Sequence, residues 1–592
     1  MDGGRLDLEG DIARFEAVLA DYLSGRMEEE AFRIFRLNNG VYGQRQGGHA
    51  QMVRVKAPYG SIDAAQLGML GQVAERYSRG WGHLTTRQNV QFHFVELERV
   101  PELLRDLASV GLTTREACGD TVRNVAGCHL AGACPYEVLD VSPWAEATFR
   151  HFLHHPYAQR LPRKFKINFS GCSADCGQAM FNDVGVVATS RETPDGRVAG
   201  FRVFLGGGLG ANPRPAQALE PFTERSDLLP TLEAVLRTFD HYGNRDNKLR
   251  ARLKWVVDEL GVEELRRRIL RERAALVASS SWPGGIPAAV AAEGDEPAGG
   301  DPRTRPTRPQ GPTPLGGPVP ARPAGTPYER WRSANVVAVG AKGLVSAIAH
   351  ARLGDVTAEQ FRGLASVASD LEVDVRITNR QNLALRGLAE ARLPELYRRL
   401  AEIGMAEPVA GLARDVVACP GADTCNLAVT QSRGLADAIG AALEDAGLGD
   451  VGGVRINVSG CTNSCGHHHI ADIGLHGVER RVEGRPAPGY QLLLGGRVDG
   501  TGIQFGRRAL RLPAKACPEA VVRVVRRYSE ERGAGEAFGE WLARSGGAQA
   551  VGSELAELDR WPTAEARPDY YVDYHETAPY LVTVGAGECA GT

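Results

Sequence analysis

The sequence has 592 residues, of which 24% are charged, and its formal net charge at pH 7 is -3. A chain of this length can form several domains, each with its own hydrophobic core. The near-neutral charge excludes a generally basic nucleic-acid-binding protein, although it allows a local basic pocket. The first residues lack the basic and apolar runs of a signal peptide, and the most apolar segment, 334–351, is interrupted by Lys342 and several glycines. We therefore expect neither a signal peptide nor a membrane span.

The first hundred residues alternate between helical and strand periods. Apolar residues recur at helical spacing between Leu6 and Phe35, which predicts an N-terminal helical segment within 1–45. The following segment, 46–110, is predicted to contain a strand, a helix and a second strand at residues 51–56, 64–77 and 90–95. This order predicts a β-α-β unit, and we interpret 46–110 as a first half-domain.

Two close cysteine pairs and a glycine run mark the segment 111–278. The pairs are Cys128 with Cys134 and Cys172 with Cys176. The glycine run at 206–210 does not fit a dinucleotide-binding fingerprint, because its spacing differs and no acidic residue closes a following strand. Helical period resumes from about residue 227 to residue 276 and completes this first cysteine-containing half.

Residues 279–326 are dominated by Pro, Gly, Ala and Arg. They contain almost no large apolar residues from which a core could form, so they are predicted to be a linker. A second half-domain, a second cysteine-containing half and a C-terminal tail are predicted beyond it, at 327–408, 409–546 and 547–592. A helical stretch is expected over 521–543, near the end of the second cysteine-containing half.

The second part of the chain repeats the motifs of the first at nearly constant offsets. The offset is 293 between Arg87 and Arg380, each in a Thr-x-Arg-Gln-Asn motif, and 291 between Cys128 and Cys419. It is 289 where Ile-Asn-Val-Ser-Gly-Cys461 repeats an earlier Ile-Asn-Phe-Ser-Gly-Cys. Several separate motifs at similar offsets indicate a duplication, and two similar halves can enclose one central cofactor.

Eight of the eleven cysteines lie in close pairs, which predicts metal ligands in a reducing cytoplasm rather than disulfides. Four thiolates brought together suit either tetrahedral zinc or a four-iron cluster. Five residues separate Cys419 from Cys425, which is wider than the usual zinc pair, so an iron–sulfur cluster is favoured. The three remaining cysteines, predicted to be buried small side chains or incidental thiols, are Cys118, Cys517 and Cys589.

The C-x5-C pair followed by C-x3-C, the latter inside Asn457-Val-Ser-Gly-Cys-Thr-Asn-Ser-Cys-Gly466, resembles the signature of the assimilatory sulfite and nitrite reductases. The resemblance implies an α+β, pseudo-two-fold duplicated sulfite reductase fold with two ferredoxin-like half-domains and two sirohaem/[4Fe–4S] halves. It implies a sirohaem bridged by Cys465 to a [4Fe–4S] cluster. The cofactor-binding residues so implied are Cys419, Cys425, Cys461, Cys465 and Asn463.

Binding and protonating an oxyanion beside an anionic macrocycle requires a group of cations. The motifs Thr85-Thr-Arg-Gln, Arg123-Asn-Val and Leu161-Pro-Arg-Lys-Phe-Lys166 resemble the sulfite-binding motifs of this family. Strand alternation over 163–166 would place both lysines on one face, where paired cations lower each other's pKa and favour proton donation. Lys166 resembles the sulfite type, because members devoted to nitrite tend to have Asn there. The catalytic residues so implied are Arg87, Arg123, Lys164 and Lys166.

The first half keeps its cysteines, whereas most single-chain relatives have lost them. Such retention resembles the dissimilatory sulfite reductases, whose related subunits each hold a cluster. Two interpretations stay open: a second cluster that relays electrons from the donor, and a set of thiols without metal. The four cysteines concerned are Cys128, Cys134, Cys172 and Cys176. Next to Cys465, the histidines His467, His468 and His469 are interpreted as contacts to cofactor carboxylates or to metal ligands.

The sequence therefore predicts a cytoplasmic enzyme that reduces sulfite to sulfide with six electrons in sulfur assimilation. Nitrite reduction to ammonia at the same site is the alternative. No stretch suggests flavin or nicotinamide binding, so a separate electron donor, ferredoxin, is expected. Two rivals from other classes are an electron carrier with two clusters, which would not need the four cations, and a scaffold stabilised by zinc.

Overall fold

The computed structural model describes residues 7–194, 196–279, 322–339, 343–499, 502–582 and 585. Most of the predicted linker lies outside the described residues, and so does Cys589. Among the residues that are described, no helix is long and apolar enough to cross a membrane.

Helices occur in both parts of the chain. Those of the first part are α1 (Leu8–Leu23), α2 (Glu29–Asn38), α3 (Ala64–Tyr77), α4 (Val100–Ser109), α5 (Ser142–Phe152), α6 (Leu228–Tyr242), α7 (Leu253–Leu260) and α8 (Val262–Ala278). Those of the second are α9 (Pro327–Asn335), α10 (Ala358–Asp370), α11 (Leu393–Glu402), α12 (Ser432–Asp445), α13 (Cys517–Glu531), α14 (Phe538–Arg544) and α15 (Gly547–Ser553).

Strands follow the same division. The first part contains β1 (Val41–Gly43), β2 (Ala50–Lys56), β3 (Ser61–Ile62), β4 (Trp81–Leu84), β5 (Asn89–Glu96), β6 (Ala126–Gly127), β7 (Ile167–Ser170), β8 (Val184–Thr193), β9 (Gly196–Leu205) and β10 (Gln217–Ala218). The second contains β11 (Val336–Ala338), β12 (Leu344–Ala349), β13 (Asp355–Thr357), β14 (Asp374–Ile377), β15 (Leu383–Ala389), β16 (Val417–Ala418), β17 (Ile456–Ser459), β18 (Ile473–Val482), β19 (Arg485–Leu494), β20 (Arg497–Asp499), β21 (Gly502–Gln504) and β22 (Arg507–Pro513).

The two half-domain sheets exchange a strand. One sheet has the order β1-β2-β5-β4-β13 and the other β11-β12-β15-β14-β3, so each contains a short strand from the opposite half. The helices α3 and α10 pack against each other, and both begin with a capping box, at Asp63 and Thr357 respectively. A single hydrophobic core fills both half-domains, with Phe92 and Phe361 fully buried in it. Burying each such ring contributes about 1.5–3 kcal/mol, so the half-domains stabilise each other.

The two cysteine-containing halves have five-stranded sheets of the same design. Their strand orders are β10-β9-β8-β7-β6 and β16-β17-β18-β19-β22. The strands β6, β7 and β8 are parallel, as are β16, β17 and β18. Because the carboxyl ends of parallel strands meet at one edge of a sheet, the residues that follow them come together there. The α+β class and the duplication predicted from the sequence are confirmed.

Two local predictions differ from the structure. The helix expected over 521–543 is two helices, α13 and α14, separated by a turn in which Gly535 has a φ of +74°. The strand expected at 163–166 begins only at Ile167. Its alternation is nevertheless present, since Phe165 is fully buried while Lys164 and Lys166 on either side of it are half-buried.

Candidate functional site

Each cysteine pair follows a parallel strand. Cys419 comes directly after β16, and Cys461 is the second residue after β17, at the same edge of the sheet. The Gly460 amide donates a hydrogen bond to the Cys419 sulfur at 3.3 Å. The Asn463 amide donates to the Cys461 sulfur, and the Asn463 side chain is exposed. Amides directed at sulfur stabilise the thiolate form that binds iron. The equivalent strands β6 and β7 place Cys128 and Cys172 in the same way.

The arrangement of the thiols does not match a mononuclear metal site. Among the described residues, the group of three or more potential ligand atoms that all lie within 4.8 Å of one another is His151, His155 and Glu233, and no set of cysteines meets this limit. Tetrahedral zinc with Zn–S bonds of about 2.3 Å requires sulfurs about 3.8 Å apart. A four-iron cluster holds its cysteines farther apart, because each thiolate binds a different iron. The spacing therefore favours a cluster.

Thiols of both sets have raised pKa values. Burial raises the pKa of the Cys425 thiol to about 12, and the charge of the neighbouring Cys465 adds to the shift. In the first half, a hydrogen bond with Cys176 and burial raise the pKa of Cys128 well above its ordinary value. Metal binding replaces these protons, so the chemistry of both sets suits a bound cluster.

The hairpin between β4 and β5 connects the two halves. The Gln88 side chain donates to the Gly127 carbonyl at 3.0 Å and accepts from the Gly127 amide at 2.8 Å, which fixes the hairpin to the first-half cysteine strand. The Thr86 hydroxyl donates to the carbonyl of Cys465 at 2.9 Å. Arg87, between these two residues, is thereby held beside the cysteines of the second half.

Arg87 is held by neutral groups. Its guanidinium donates to the Asn168 Oδ1 at 2.9 Å, the Asn182 Oδ1 at 3.1 Å and the Asn124 carbonyl at 2.7 Å. Its buried Nε has no hydrogen-bond partner within the described part of the chain, and no carboxylate of that part lies within 4.0 Å. Burial and the charge of Arg123 lower the pKa of Arg87 to about 9. The positive charge at this position is therefore not neutralised by an ion pair.

Lys166 is the second cation without an acidic partner. No hydrogen bond or ion pair of its ammonium group is present among the described residues, although its backbone amide donates to Asp183 at 3.0 Å. Burial and the charges of Arg87, Arg252 and Lys164 lower its pKa well below the ordinary value, whereas the charge of Cys465 raises it. Lys166 therefore lies within electrostatic reach of Cys465 of the second half.

Arg123 occupies a different environment from the other predicted cations. Its guanidinium donates to the carbonyls of Ala117 and Gly119 at 2.8–3.0 Å, so it closes the loop that precedes it. It remains within electrostatic reach of Arg87. Its role as an anion ligand stays a prediction.

Several buried polar side chains next to Cys465 in the sequence lack hydrogen-bond partners in the described part of the chain. The structure gives no hydrogen-bond partner, among the residues that it describes, to the Ser464 Oγ, the His467 Nδ1 or either ring nitrogen of His468. Each buried polar atom without a partner costs about 1–3 kcal/mol, so such a group indicates a ligand with polar substituents. These residues fit the carboxylate-bearing sirohaem that the sequence motifs imply. His469 is different, because its Nε2 lies 2.9 Å from the Gly210 carbonyl at the end of the first-half glycine run.

The duplicated counterpart of this site has compensated cations. Arg380 corresponds to Arg87, and its Nε donates to the Asp415 carboxylate at 2.5 Å. Arg455 corresponds to Lys166 and forms an ion pair with Asp472 at 2.8 Å. The Asn379 amide group donates to the Cys176 carbonyl at 2.6 Å, as Thr86 does to Cys465. The second hairpin therefore approaches the first-half thiols, but with its positive charges neutralised.

Sequence reasoning missed several residues that shape the first site. The signal for Asn124 was present in the repeat, since Arg123-Asn-Val becomes Arg414-Asp-Val in the second half. Arg252 gave no signal, because it lies outside every motif. It forms a two-point ion pair with Asp183 at 2.9 and 2.7 Å. Asp183 is therefore occupied and leaves Lys166 unpaired.

Cys118 and Cys517 are fully buried, which agrees with the first of the two environments considered for them and not with an exposed thiol. Cys118 accepts a hydrogen bond from Arg54 at 3.4 Å, and the Cys517 thiol donates to the Pro513 carbonyl at 3.4 Å. Both therefore lie outside the two thiol sets.

Comparisons with known proteins agree with this architecture. The family model described as Nitrite and sulphite reductase 4Fe-4S domain matches residues 118–276 and 411–551. The model described as Nitrite/Sulfite reductase ferredoxin-like half domain matches residues 42–110 and 340–403. The matches fall on both copies of the duplicated pattern.

Similar full-length proteins carry names of both substrate types. The chain is 29% identical to the assimilatory ferredoxin-dependent nitrite reductase of Haloferax mediterranei, over 91% of this chain and 90% of that one. It is 30% identical to a sulfite reductase [ferredoxin] of Mycobacterium tuberculosis, over 83% of this chain and 82% of that one. The structure of the Mycobacterium tuberculosis NirA protein matches with a TM-score of 0.74 and 27% identity, over 91% of this chain and 96% of that one.

The duplicated fold and its paired thiol and cation sets define an iron–sulfur oxidoreductase built from two similar halves. The predicted fold, with two ferredoxin-like half-domains and two cofactor-binding halves, is confirmed. The chain belongs to the nitrite and sulphite reductase family.

Proposed function

We propose that the protein reduces sulfite to sulfide with six electrons at a sirohaem that Cys465 joins to a [4Fe–4S] cluster. The remaining ligands of that cluster in this proposal are Cys419, Cys425 and Cys461. The observation that carries the proposal is the placement of Arg87 and Lys166, two cations without acidic partners, beside the last cysteine of the opposite half. An electron carrier without a substrate would have no use for uncompensated buried cations.

The cations bind and protonate the anion in this proposal. Arg87 presents a guanidinium oriented by Asn168 and Asn182, so it can bind two anion oxygens without losing an existing ion pair. The lowered pKa of Lys166 makes its ammonium a better proton donor to a departing oxygen. Lys164 adds positive charge beside it. When bound, the sirohaem and the cluster supply electrons to the anion one at a time.

The donor in this proposal is a ferredoxin. Relatives are named as ferredoxin-dependent, and the sequence has no stretch typical of flavin or nicotinamide binding. Eight thiols in two sets require a reducing compartment to stay free for metal, which favours the cytoplasm.

Nitrite is the second candidate substrate, because a relative of similar identity is named a nitrite reductase. The test is steady-state turnover of sulfite and of nitrite by the anaerobically purified protein with reduced ferredoxin. We expect a larger kcat/KM for sulfite, and we expect Lys166→Asn to lower it relative to the value for nitrite. A larger value for nitrite in the unmodified protein would overturn the sulfite assignment. Absence of a haem absorption band together with absence of turnover would overturn reduction altogether.

A further inference from the structure

The first half contains a complete second set of thiols that the proposed reaction does not use. Cys128 is buried, and the other three members are half-buried, which is the burial of a ligand set and not of surface thiols. Within this set, the Cys128 and Cys176 thiols share a hydrogen bond. Its members are Cys128, Cys134, Cys172 and Cys176.

The two thiol sets lie in loops with the same conformation. In each, an asparagine side chain donates to the carbonyl of the glycine after the last cysteine at 2.8 Å, and a serine hydroxyl accepts from that glycine's amide at 3.1 Å. A Cβ atom on either glycine would clash with a backbone carbonyl of the preceding strand. The loop that carries Cys172 and Cys176 is therefore built like the loop that carries Cys461 and Cys465. The equivalent residues are Asn168, Ser170 and Gly177 in one loop and Asn457, Ser459 and Gly466 in the other.

The surroundings of the last cysteine differ between the sets. Asp175 precedes Cys176, and its buried carboxylate accepts from the Ser170 hydroxyl and the Ala179 amide, both at 2.6 Å. The equivalent residue before Cys465 is Ser464, whose hydroxyl has no partner among the described residues. The first set therefore lacks the unpartnered polar group that Ser464 offers beside the last cysteine of the second set, which favours a cluster without a haem.

The second-half counterparts of Arg87 and Lys166 are neutralised by buried carboxylates. Arg380 is bound to Asp415 and Arg455 to Asp472, and each aspartate is at least 95% buried. An anion that displaced either carboxylate would leave a buried charge without its partner, which is unfavourable. A small oxyanion therefore gains nothing by binding there.

We propose that Cys128, Cys134, Cys172 and Cys176 hold a second [4Fe–4S] cluster, which exchanges single electrons and binds neither haem nor anion. A reduced iron–sulfur donor protein loses one electron and the cluster gains it, with no bond formed or broken. Presence of the cluster does not depend on the proposed reduction of sulfite, whereas its use as an electron store rests on that function.

The test is an iron, acid-labile sulfide and zinc count on the anaerobically purified full chain and three variants. We expect about eight cluster irons in the unmodified protein, about four in Cys172→Ser with the haem band retained, and about four in Cys461→Ser. Cys118→Ser, a buried cysteine outside both sets, is the matched control and should keep about eight. About four cluster irons in the unmodified protein, or zinc in the first set, would overturn the proposal.

Electron paramagnetic resonance of the dithionite-reduced protein keeps the proposal testable if Cys172→Ser folds poorly. We expect two cubane signals in the unmodified protein, with one of them lost in the separate variant Cys176→Ser. A single cubane signal in the unmodified protein contradicts the second cluster even when haem is absent. Two signals without sulfite turnover would support the cluster while refuting the proposed function, so the two failures are distinguishable.

Discussion

The two pseudo-symmetric sites have the same loops and opposite charge compensation. In the first, Arg87 donates to asparagine oxygens and a carbonyl, and Lys166 has no partner in the described structure. In the second, the corresponding arginines are bound to Asp415 and Asp472. The difference teaches that two copies of one fold can keep the same loops while acidic residues neutralise the cations of only one copy.

One aspartate illustrates the principle most directly, because it is present in both halves. Asp472 accepts from the backbone and side chain of Arg455, whereas Asp183 accepts only the backbone amide of Lys166. The Asp183 carboxylate is bound instead by Arg252 at 2.7 Å. A single arginine from outside the duplicated motifs thus occupies Asp183 and leaves the Lys166 ammonium without an acidic partner among the described residues.

The largest effect is expected from removing Lys166, the lysine that has no acidic partner in the described structure. We expect Lys166→Ala to lower kcat/KM for the anion by about 100–1000-fold, because a preorganised cation that stabilises developing negative charge is lost. We expect a large fall for Lys164→Ala as well, with the haem retained in both variants. The measurement is steady-state kinetics with an absorption spectrum of each protein. The matched control is Arg455→Lys, which keeps the ion pair with Asp472 and should leave kcat/KM unchanged. Unaltered kinetics in both lysine variants would refute the assignment.

A second variant introduces into the first site an acidic residue like the one that neutralises an arginine in the second site. Asn124→Asp supplies the first half with the carboxylate that Asp415 provides in the second half, where it accepts from Arg380. We expect kcat/KM to fall about 10–100-fold, since the anion must compete with an internal charge-assisted hydrogen bond. The readout is anion kinetics at constant haem content. The reciprocal variant Asp415→Asn should leave turnover unchanged and lower thermal stability. Equal losses of turnover in the two variants would show that compensation is not what separates the sites.

Arg252 offers a smaller and more selective test. We expect Arg252→Gln to raise KM for the anion about tenfold with little change in kcat, because Asp183 becomes free to pair with Lys166. Arg252→Lys should restore most of the affinity, since a lysine can still bind Asp183. The measurement is the separate determination of kcat and KM. A parallel loss of haem in the glutamine variant, without rescue by lysine, would indicate a purely structural role.

In the second half, the C-terminal tail packs on the loop that contains Gln431. This contact gives the smallest expected effect, a dependence of stability on pH. Asp573 of the tail accepts from the Gln431 amide at 2.9 Å, and burial raises its pKa to about 6. The folded chain therefore binds this proton more tightly than the unfolded chain, and stability falls as pH rises from about 4 to about 6. The full change is at most about 3 kcal/mol. We expect Asp573→Asn to remove this dependence without changing turnover.

The measurement is hydrogen exchange of the tail peptide that contains Tyr580, whose hydroxyl donates to the Val429 carbonyl at 3.0 Å. Protection in the unmodified protein should be greater at pH 5 than at pH 7, once intrinsic exchange rates are corrected. Protection in Asp573→Asn should be equal at the two values. A pH dependence that survives in the variant would assign it to another group.

Much of the fold was predictable because the second part of the sequence repeats the motifs of the first. The offsets of 293, 291 and 289 identified the duplication, and helical periods located α3 at 64–77 without error. The exchange of strands between half-domains was not predictable, since β3 has two residues and β13 three, too few for a periodic pattern. The domain boundaries assigned from composition stay a prediction.

The candidate site was predictable as a set of residue types, and less so as a geometry. The motifs identified Arg87 and Lys166, but their lack of acidic partners depends on contacts between distant segments. The Arg252 contact with Asp183 illustrates this, because 69 residues separate the two partners. The difference at Asn124 could have been noticed in the sequence, because the equivalent residue in the repeat is Asp415. The hydrogen bond from Thr86 to the Cys465 carbonyl places Cys465 near the first-half cations. No local sequence pattern predicts this contact.

The most direct test of the account is the haem content of two matched variants, Cys465→Ser and Cys176→Ser. These cysteines occupy equivalent positions after the same loop, beside uncompensated cations in one case and compensated cations in the other. The account predicts that Cys176→Ser keeps one haem per chain with anion turnover, and that Cys465→Ser loses the cluster-coupled haem and turnover. Loss of the haem in Cys176→Ser, with Cys465→Ser unaffected, would contradict it.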